Sequence, residues 1–163
     1  MDEILVDEEG YKQYFEELDK LKNLRLLIAV KGGEACKEAV GDGWHDNFAY
    51  EEAMREERNM ASRIEQMLKE QKLLKIVEQK DREDGKINIG DIVELSIKYA
   101  DDDIEVETIK LTGKYKPDTD LKIKEISLNS PIGKAIFQKS INSEVSYMVN
   151  GRKISVNILN VLR

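Results

Sequence analysis

Cysteine is almost missing from this chain, with Cys36 the one thiol among 163 residues. One cysteine excludes an internal disulfide and any Cys-x-x-Cys pair, and it fits a reducing compartment. Histidine is as scarce, His45 standing alone, so the usual zinc ligand sets are out of reach. Prolines number two, and aromatics make up 6% of residues. No stretch approaches the ~20 consecutive apolar residues that cross a bilayer. The opening segment MDEILVDEEG is acidic and lacks the positive-then-apolar order of a secretory signal. Glycine-rich phosphate loops, G-x-S-x-G elbows and H-E-x-x-H helices are absent as well. These absences predict a soluble, cytoplasmic protein with no membrane partner, and one that is not a self-contained enzyme.

Charge, by contrast, is plentiful. Charged residues are 36% of the chain and the net charge is −7, while 40% hydrophobic residues suffice for a core and exclude a disordered chain. Residues 1–80 hold 19 acids against 13 bases, and residues 81–163 hold 14 against 13. Duplex binding depends on Lys and Arg neutralising phosphates, so autonomous sequence-specific DNA binding is not expected.

Residues 1–80 read with a helical period. Tyr14, Leu18, Leu21, Leu24 and Ile28 recur at steps of three and four, with Ala35 and Ala39 continuing the stripe. A second stripe runs Ala53, Met60, Ile64, Met67 and Leu74, with Glu57 and Gln71 in two of its slots. Between them lies Gly41-Asp42-Gly43-Trp44-His45-Asp46-Asn47, a turn-rich segment that ends one helix and caps the next. Neither helix buries its stripe alone, so the spacing predicts a long antiparallel hairpin, its second helix running from about residue 46 to 78. Gly32-Gly33 is read as a tolerated weak point in the first helix, with a hinge as the sharper alternative.

A polar linker is expected at residues 81–86, and beyond it the period is two. Val93, Leu95, Ile97 and Tyr99 alternate with polar residues. Ile104 and Val106 fall out of phase with Ile109 and Leu111, which predicts a bulge or bend. Val145, Tyr147 and Val149 lead through Asn150-Gly151 into Ile154, Val156 and Ile158, a strong hairpin signal. Ser130-Pro131 opens a short helix through Phe137. Residues 87–163 therefore form a compact antiparallel sheet with one helix, and the fold class is α+β.

Read as residues alone, Asp42 in a Gly-Asp-Gly turn and Asp46 before a helix are ordinary turn and cap choices. Cys36 and His45 sit in different predicted elements, and Cys36 beside Ala35 reads as a small buried residue.

Several segments resemble the GreA/GreB family of bacterial transcript-cleavage factors, and the resemblance covers nearly the whole chain. Ile126-Ser127-Leu128-Asn129-Ser130-Pro131-Ile132-Gly133-Lys134-Ala135 is similar to the family's ISxxSPxGxA segment. Lys139 stands where the family has a Gly-Lys pair, with Gln138 in place of the glycine. Ile89-Gly90-Asp91-Ile92-Val93 resembles the opening of the family's sheet, and Gly10 with Glu16-Glu17-Leu18-Asp19-Lys20-Leu21 its first helix. Gly41-Asp42, Asn47 and Tyr50 echo the family's tip, Gly-Asp-x-x-Glu-Asn-x-x-Tyr. Asp42 matches the first tip acid and Asp46 the second, as Asp for Glu and one residue further along.

The resemblance implies a coiled-coil arm over residues 1–80 with its tip at 41–47, and an FKBP-like domain over 87–163. It implies bacterial RNA polymerase and the 3′ end of its nascent RNA as partners. The tip would enter the polymerase's secondary channel, where Asp42 and Asp46 help hold a Mg²⁺ shared with the polymerase. No cofactor is bound outside that complex. Trp44, His45, Asn47 and Tyr50 become candidate RNA or channel contacts; equally, Trp44 folds onto Phe48 and His45 is a solvated loop residue. Lys20, Lys22, Arg25, Lys31 and Lys37 form a basic arm patch that reads as RNA-facing or as solvated charges paired with nearby acids. A monomer is the default, since a paired hairpin satisfies its own seam. Two other readings stay open: a non-cleaving regulator that occupies the channel, and a coiled-coil interaction protein or holdase indifferent to Asp42 and Asp46. Prolyl isomerase activity has little support from an aromatic-poor second half.

Overall fold

The computed structural model describes residues 3–38, 48–78, 85–99 and 103–162, with backbone alone for residues 35–38 and 49. Residues 79–84, which hold most of the expected linker, and residues 41–47 lie outside the described residues. The chain divides into two compact units, one of Tyr14–Leu73 and one of Met1–Gln13 with Leu74–Arg163. Residues 3–13 and 74–78 group with the globular unit.

The first unit is built on α1 (Glu8–Glu38), from Tyr14 onward, and on α2 (Phe48–Glu70). Their stripes face each other: Tyr14, Leu18 and Ile28 of α1 and Ile64 and Met67 of α2 are buried. Three contacts fix the antiparallel sense. The Tyr14 hydroxyl donates to the Met67 carbonyl, Arg25 meets Glu57, and Gly32 faces Ala53, whose Cβ lies 3.4 Å from where a glycine-32 Cβ would stand. The glycine pair does not interrupt α1, which is continuous through it.

The second helix is shorter than its stripe predicts. It ends at Glu70 and passes through a 3₁₀ turn (Gln71–Leu73) into β2 (Leu74–Ile76). Leu74 keeps the seam spacing but belongs to a strand. The apolar run Leu73-Leu74-Lys75-Ile76-Val77 finds a ladder partner in β1 (Ile4–Val6), which no period in so short a segment reveals. The two strands pair in parallel, Ile4 opposite Leu74.

The globular unit carries a sheet in the order β5-β4-β3-β7-β6, formed by β3 (Ile92–Lys98), β4 (Ile104–Thr112), β5 (Lys124–Ser127), β6 (Glu144–Val149) and β7 (Arg152–Leu162). The β3–β4, β3–β7 and β6–β7 pairs are antiparallel as expected. β5, however, runs parallel to β4, because the long connection after Thr112 carries the chain back before it re-enters the sheet. The sheet is therefore mixed. The expected bulge is not in β4, whose register against β3 is unbroken from Lys110 to Ile104. Ile104 and Val106 simply face away from the core, 64% and 61% exposed, while Ile109 and Leu111 face into it. The register shift lies instead in β7, where Glu94 pairs with Asn160 and Leu95 with Ile158, leaving Leu159 unmatched.

One face of the sheet, with Val93, Leu95, Ile97, Ile109, Leu111, Val156 and Ile158, packs with Leu128 and with Ile136 of α3 (Pro131–Ile136). Ser130 caps α3, its hydroxyl accepting the Gly133 N–H at 3.0 Å. Asn150 and Gly151, at φ 50° and 78°, form the expected two-residue turn between β6 and β7.

The N-terminal segment is fastened by close backbone contact. A Cβ at Gly10 would fall 2.0 Å from the Gly113 carbonyl oxygen, so only glycine fits there. Asp7 caps α1 through its carboxylate, which accepts the Gly10 N–H at 2.7 Å. Asn129 clamps β1, its amide oxygen accepting the Leu5 N–H at 2.9 Å and its amide nitrogen donating to the Leu5 carbonyl at 2.7 Å.

Gln138, standing where the resemblance expects glycine, has φ 60°. A side chain in this region costs about 1–2 kcal/mol, set against one long bond from its amide to Asn88 at 3.3 Å. Gln138→Gly is expected to raise unfolding free energy by about 0.5–1 kcal/mol in chemical denaturation; a lower midpoint would show that the Asn88 contact outweighs the backbone strain.

Candidate functional site

Helices α1 and α2 place Glu38 and Phe48 at the two ends of the stretch that contains the proposed tip. Asp42, Trp44, His45, Asp46 and Asn47 lie outside the described residues. Tyr50 is described, half-buried in the first turn of α2. With Phe48, Glu51, Glu52, Met54, Arg55 and Arg58 it lines a depression of about 480 Å³. Phe48 is 72% exposed. The Glu51 carboxylate in this first turn suits the positive end of the helix.

Along the arm, the basic residues separate by environment. Lys22 lies 3.6 Å from Asp19 on the helix surface, a pair worth a few tenths of a kcal/mol. Arg25 crosses to α2, where Nη2 and Nε both reach Glu57 Oε1 at 2.6 and 2.7 Å. Lys31 borders an apolar-floored groove of about 570 Å³ between the helices, with Leu21, Leu24, Ile28 and Met60 beneath it. Lys20 is exposed, and the Lys37 side chain lies outside the described residues. Arg25 therefore belongs to the hairpin's own pairing, which the spacing of basic residues alone does not reveal.

Among the described residues, no group of three or more His, Cys, Asp or Glu is placed to hold a metal ion. No described helix is long and apolar enough to cross a membrane.

The globular unit has its own ionic centre. Glu125 is 2% exposed. Its carboxylate accepts from Lys114 Nζ at 3.1 Å, Lys110 Nζ at 3.5 Å and the Asp118 N–H at 3.1 Å. Burial pushes the Glu125 carboxyl up, but the Asp118 N–H and the two ammonium groups outweigh it and hold the group below the usual carboxylate range. The Glu125 hydrogen bond holds Lys114 above the usual amine range. Tyr99, whose hydroxyl donates to Glu105 at 3.3 Å, is raised by burial and then by Glu105; Tyr147 is raised by burial and by Glu107. The Ser127–Gly133 segment, which carries the closest match to the family pattern, is occupied with internal bonds: Asn129 holds β1 and Ser130 caps α3.

Residues 81–163 match the family model described as transcription elongation factor GreA/GreB, C-terminal. Over 161 residues the chain is 29% identical to transcription elongation factor GreA of Caldanaerobacter subterraneus subsp. tengcongensis, covering 98% of each chain. It is 31% identical over 153 residues to that of Chloroherpeton thalassium, covering 93% of this chain and 92% of the relative. Among solved structures, that of the transcription factor Gfh1 aligns over 100% of both chains at 18% identity, with a TM-score of 0.46.

The Glu125 cluster sets a pH dependence. Because its folded value is depressed, the stabilisation from ionised Glu125 is complete above its ordinary value of 4.5 and is lost as pH falls through the lower folded value. Lys114 acts in the opposite sense, its contribution complete below 10.5 and lost as pH rises through the raised value. Glu125→Gln is expected to cost about 1–3 kcal/mol at pH 7 and to narrow that deficit below about pH 4, read by denaturant titration at each pH. A deficit independent of pH would remove the ionic account.

Proposed function

The chain belongs to the GreA/GreB family of transcription elongation factors, and on that footing we propose that it binds bacterial RNA polymerase and stimulates cleavage of backtracked nascent RNA by the polymerase's own active site. The supporting observation is the union of a family-matched C-terminal half with an antiparallel helix pair whose ends bracket Asp42 and Asp46.

In this reading the hairpin delivers residues 41–47 through the secondary channel to the RNA 3′ end. Asp42 and Asp46 offer hard carboxylate oxygens, the donor chemistry that Mg²⁺ prefers. Asp42 and Asp46 would be this chain's ligands to a Mg²⁺ shared with the polymerase, which would supply charge stabilisation to the phosphoryl displacement. The chain's own task is smaller: to carry two carboxylates to that place and to orient water. Asp46 is one methylene shorter than the family's Glu and sits one residue further from Asp42, so its backbone must approach the metal more closely. Trp44 then stacks on an unpaired base or against the channel wall. The protein is an accessory factor in this reading, not an enzyme by itself, and it works in the cytoplasm as a monomer.

The altered spacing and Trp44 also suit a factor that occupies the channel without cleaving. Transcript cleavage on deliberately backtracked complexes with Mg²⁺ separates the two. We expect factor-dependent RNA shortening that Asp42→Asn or Asp46→Asn reduces by 10²-fold or more while polymerase binding persists, consistent with about 3 kcal/mol of lost transition-state stabilisation. Binding without shortening by the wild-type protein would establish the non-cleaving reading instead.

A further inference from the structure

Glu57 occupies a slot in the apolar stripe of α2, and its side chain is only 19% exposed. Arg25 reaches it from α1, with Nε and Nη2 converging on one carboxylate oxygen, Oε1, at 2.7 and 2.6 Å. The surrounding seam is permissive. Leu21, Leu24 and Met60 line an open groove beside buried Ile28, and methionine adapts to many neighbours. A slip of α1 against α2 by one turn, about 5.4 Å, exchanges one aliphatic neighbour for another. It does not leave Glu57 indifferent. Displaced by four residues, Glu57 faces Leu21 or Ala29 in place of Arg25, and a partly buried carboxylate loses its partner. A single polar residue in an apolar seam is the known way to select one register.

We infer that Arg25 and Glu57 are positioning residues that pin the register of the hairpin, setting Glu38 against Phe48 and so fixing where Asp42 and Asp46 are carried. The functional part of this rests on the cleavage reading above, whereas the register part does not. Tyr14, bonded to the Met67 carbonyl, ties the opposite end of the seam but uses a backbone acceptor, and every turn of a helix offers one. The ion pair is specific to one pair of side chains.

The test uses the full chain with Cys36→Ser and spin labels at exposed Glu34 and Glu65, which stand at different heights on the two helices, so that a slip along the axis changes their distance. Pulsed electron resonance should give one distance for the otherwise wild-type protein. Arg25→Met should add a population displaced by about 5 Å, and Glu57→Gln, which keeps the side-chain volume, should do the same. The exchange Arg25→Glu with Glu57→Arg should return a single distance. On unlabelled proteins, Arg25→Met should lower RNA cleavage on the order of 10²-fold, as misplacement of a reacting group does, with polymerase binding retained and cleavage recovered in the exchange variant. An unchanged distance distribution in both single variants overturns the pin, as does an exchange variant that keeps two populations. A shifted distance with no cleavage even by the wild-type protein leaves the pin standing and defeats only the cleavage reading.

Discussion

A pair of helices has no interior except the seam between them, and that constraint governs the arm. Tyr14, Leu18, Ile28, Ile64 and Met67 are buried where the two stripes face each other. Helices of 31 and 23 residues span about 46 and 35 Å, so a small number of cross-seam contacts must hold long elements in step. The Tyr14 hydroxyl, the Arg25–Glu57 pair and the Gly32–Ala53 approach do this at separate heights. In the proposed mechanism such a carrier needs little else, because the reaction's remaining parts belong to the polymerase.

The globular unit solves a different problem, that of holding the N-terminus. Three strand residues cannot form a stable element by themselves. β1 is secured by its parallel partner β2, by the two hydrogen bonds from Asn129 and by the Gly10–Gly113 approach just beyond it. The Ser127–Gly133 segment thus does structural work at both ends, clamping a strand with Asn129 and starting a helix with Ser130. Glu125 nearby ties the strand it belongs to, β5, to Lys110 of β4 and to Lys114 and Asp118 in the connection between them.

Much of this was legible in the residues. Stripes at steps of three and four showed two facing helices, Asn150-Gly151 fixed a turn, and Ser130-Pro131 marked the start of α3. The failures share a physical cause, which is that tertiary pairing decides what short segments do. Ile4-Leu5-Val6 is too brief to show a period, and Leu74 fits a helical stripe until a neighbouring strand claims it. Ile104 and Val106 suggested a bulge on the premise that apolar strand residues face the core; they face outward, and the bulge falls at Leu159. The parallel placement of β5 depends on a connection whose path carries no periodic signal. As for the site, Glu57 was visible as a charge in an apolar slot, but its partner Arg25 looked like one member of a basic stripe. Asp42 and Asp46 stand out only against the family pattern, since in isolation a turn acid and a helix cap look the same as tip ligands.

The central claim is that residues 41–47 reach the RNA 3′ end inside the polymerase. Replacing Trp44 with a photo-crosslinking phenylalanine analogue, and irradiating complexes with radiolabelled RNA, tests it most directly. The account predicts crosslinks to the extruded 3′ segment and the channel lining in backtracked complexes, and loss of the RNA crosslink when the same complexes are held in the forward register. Crosslinks confined to the polymerase exterior, with binding intact, would contradict it.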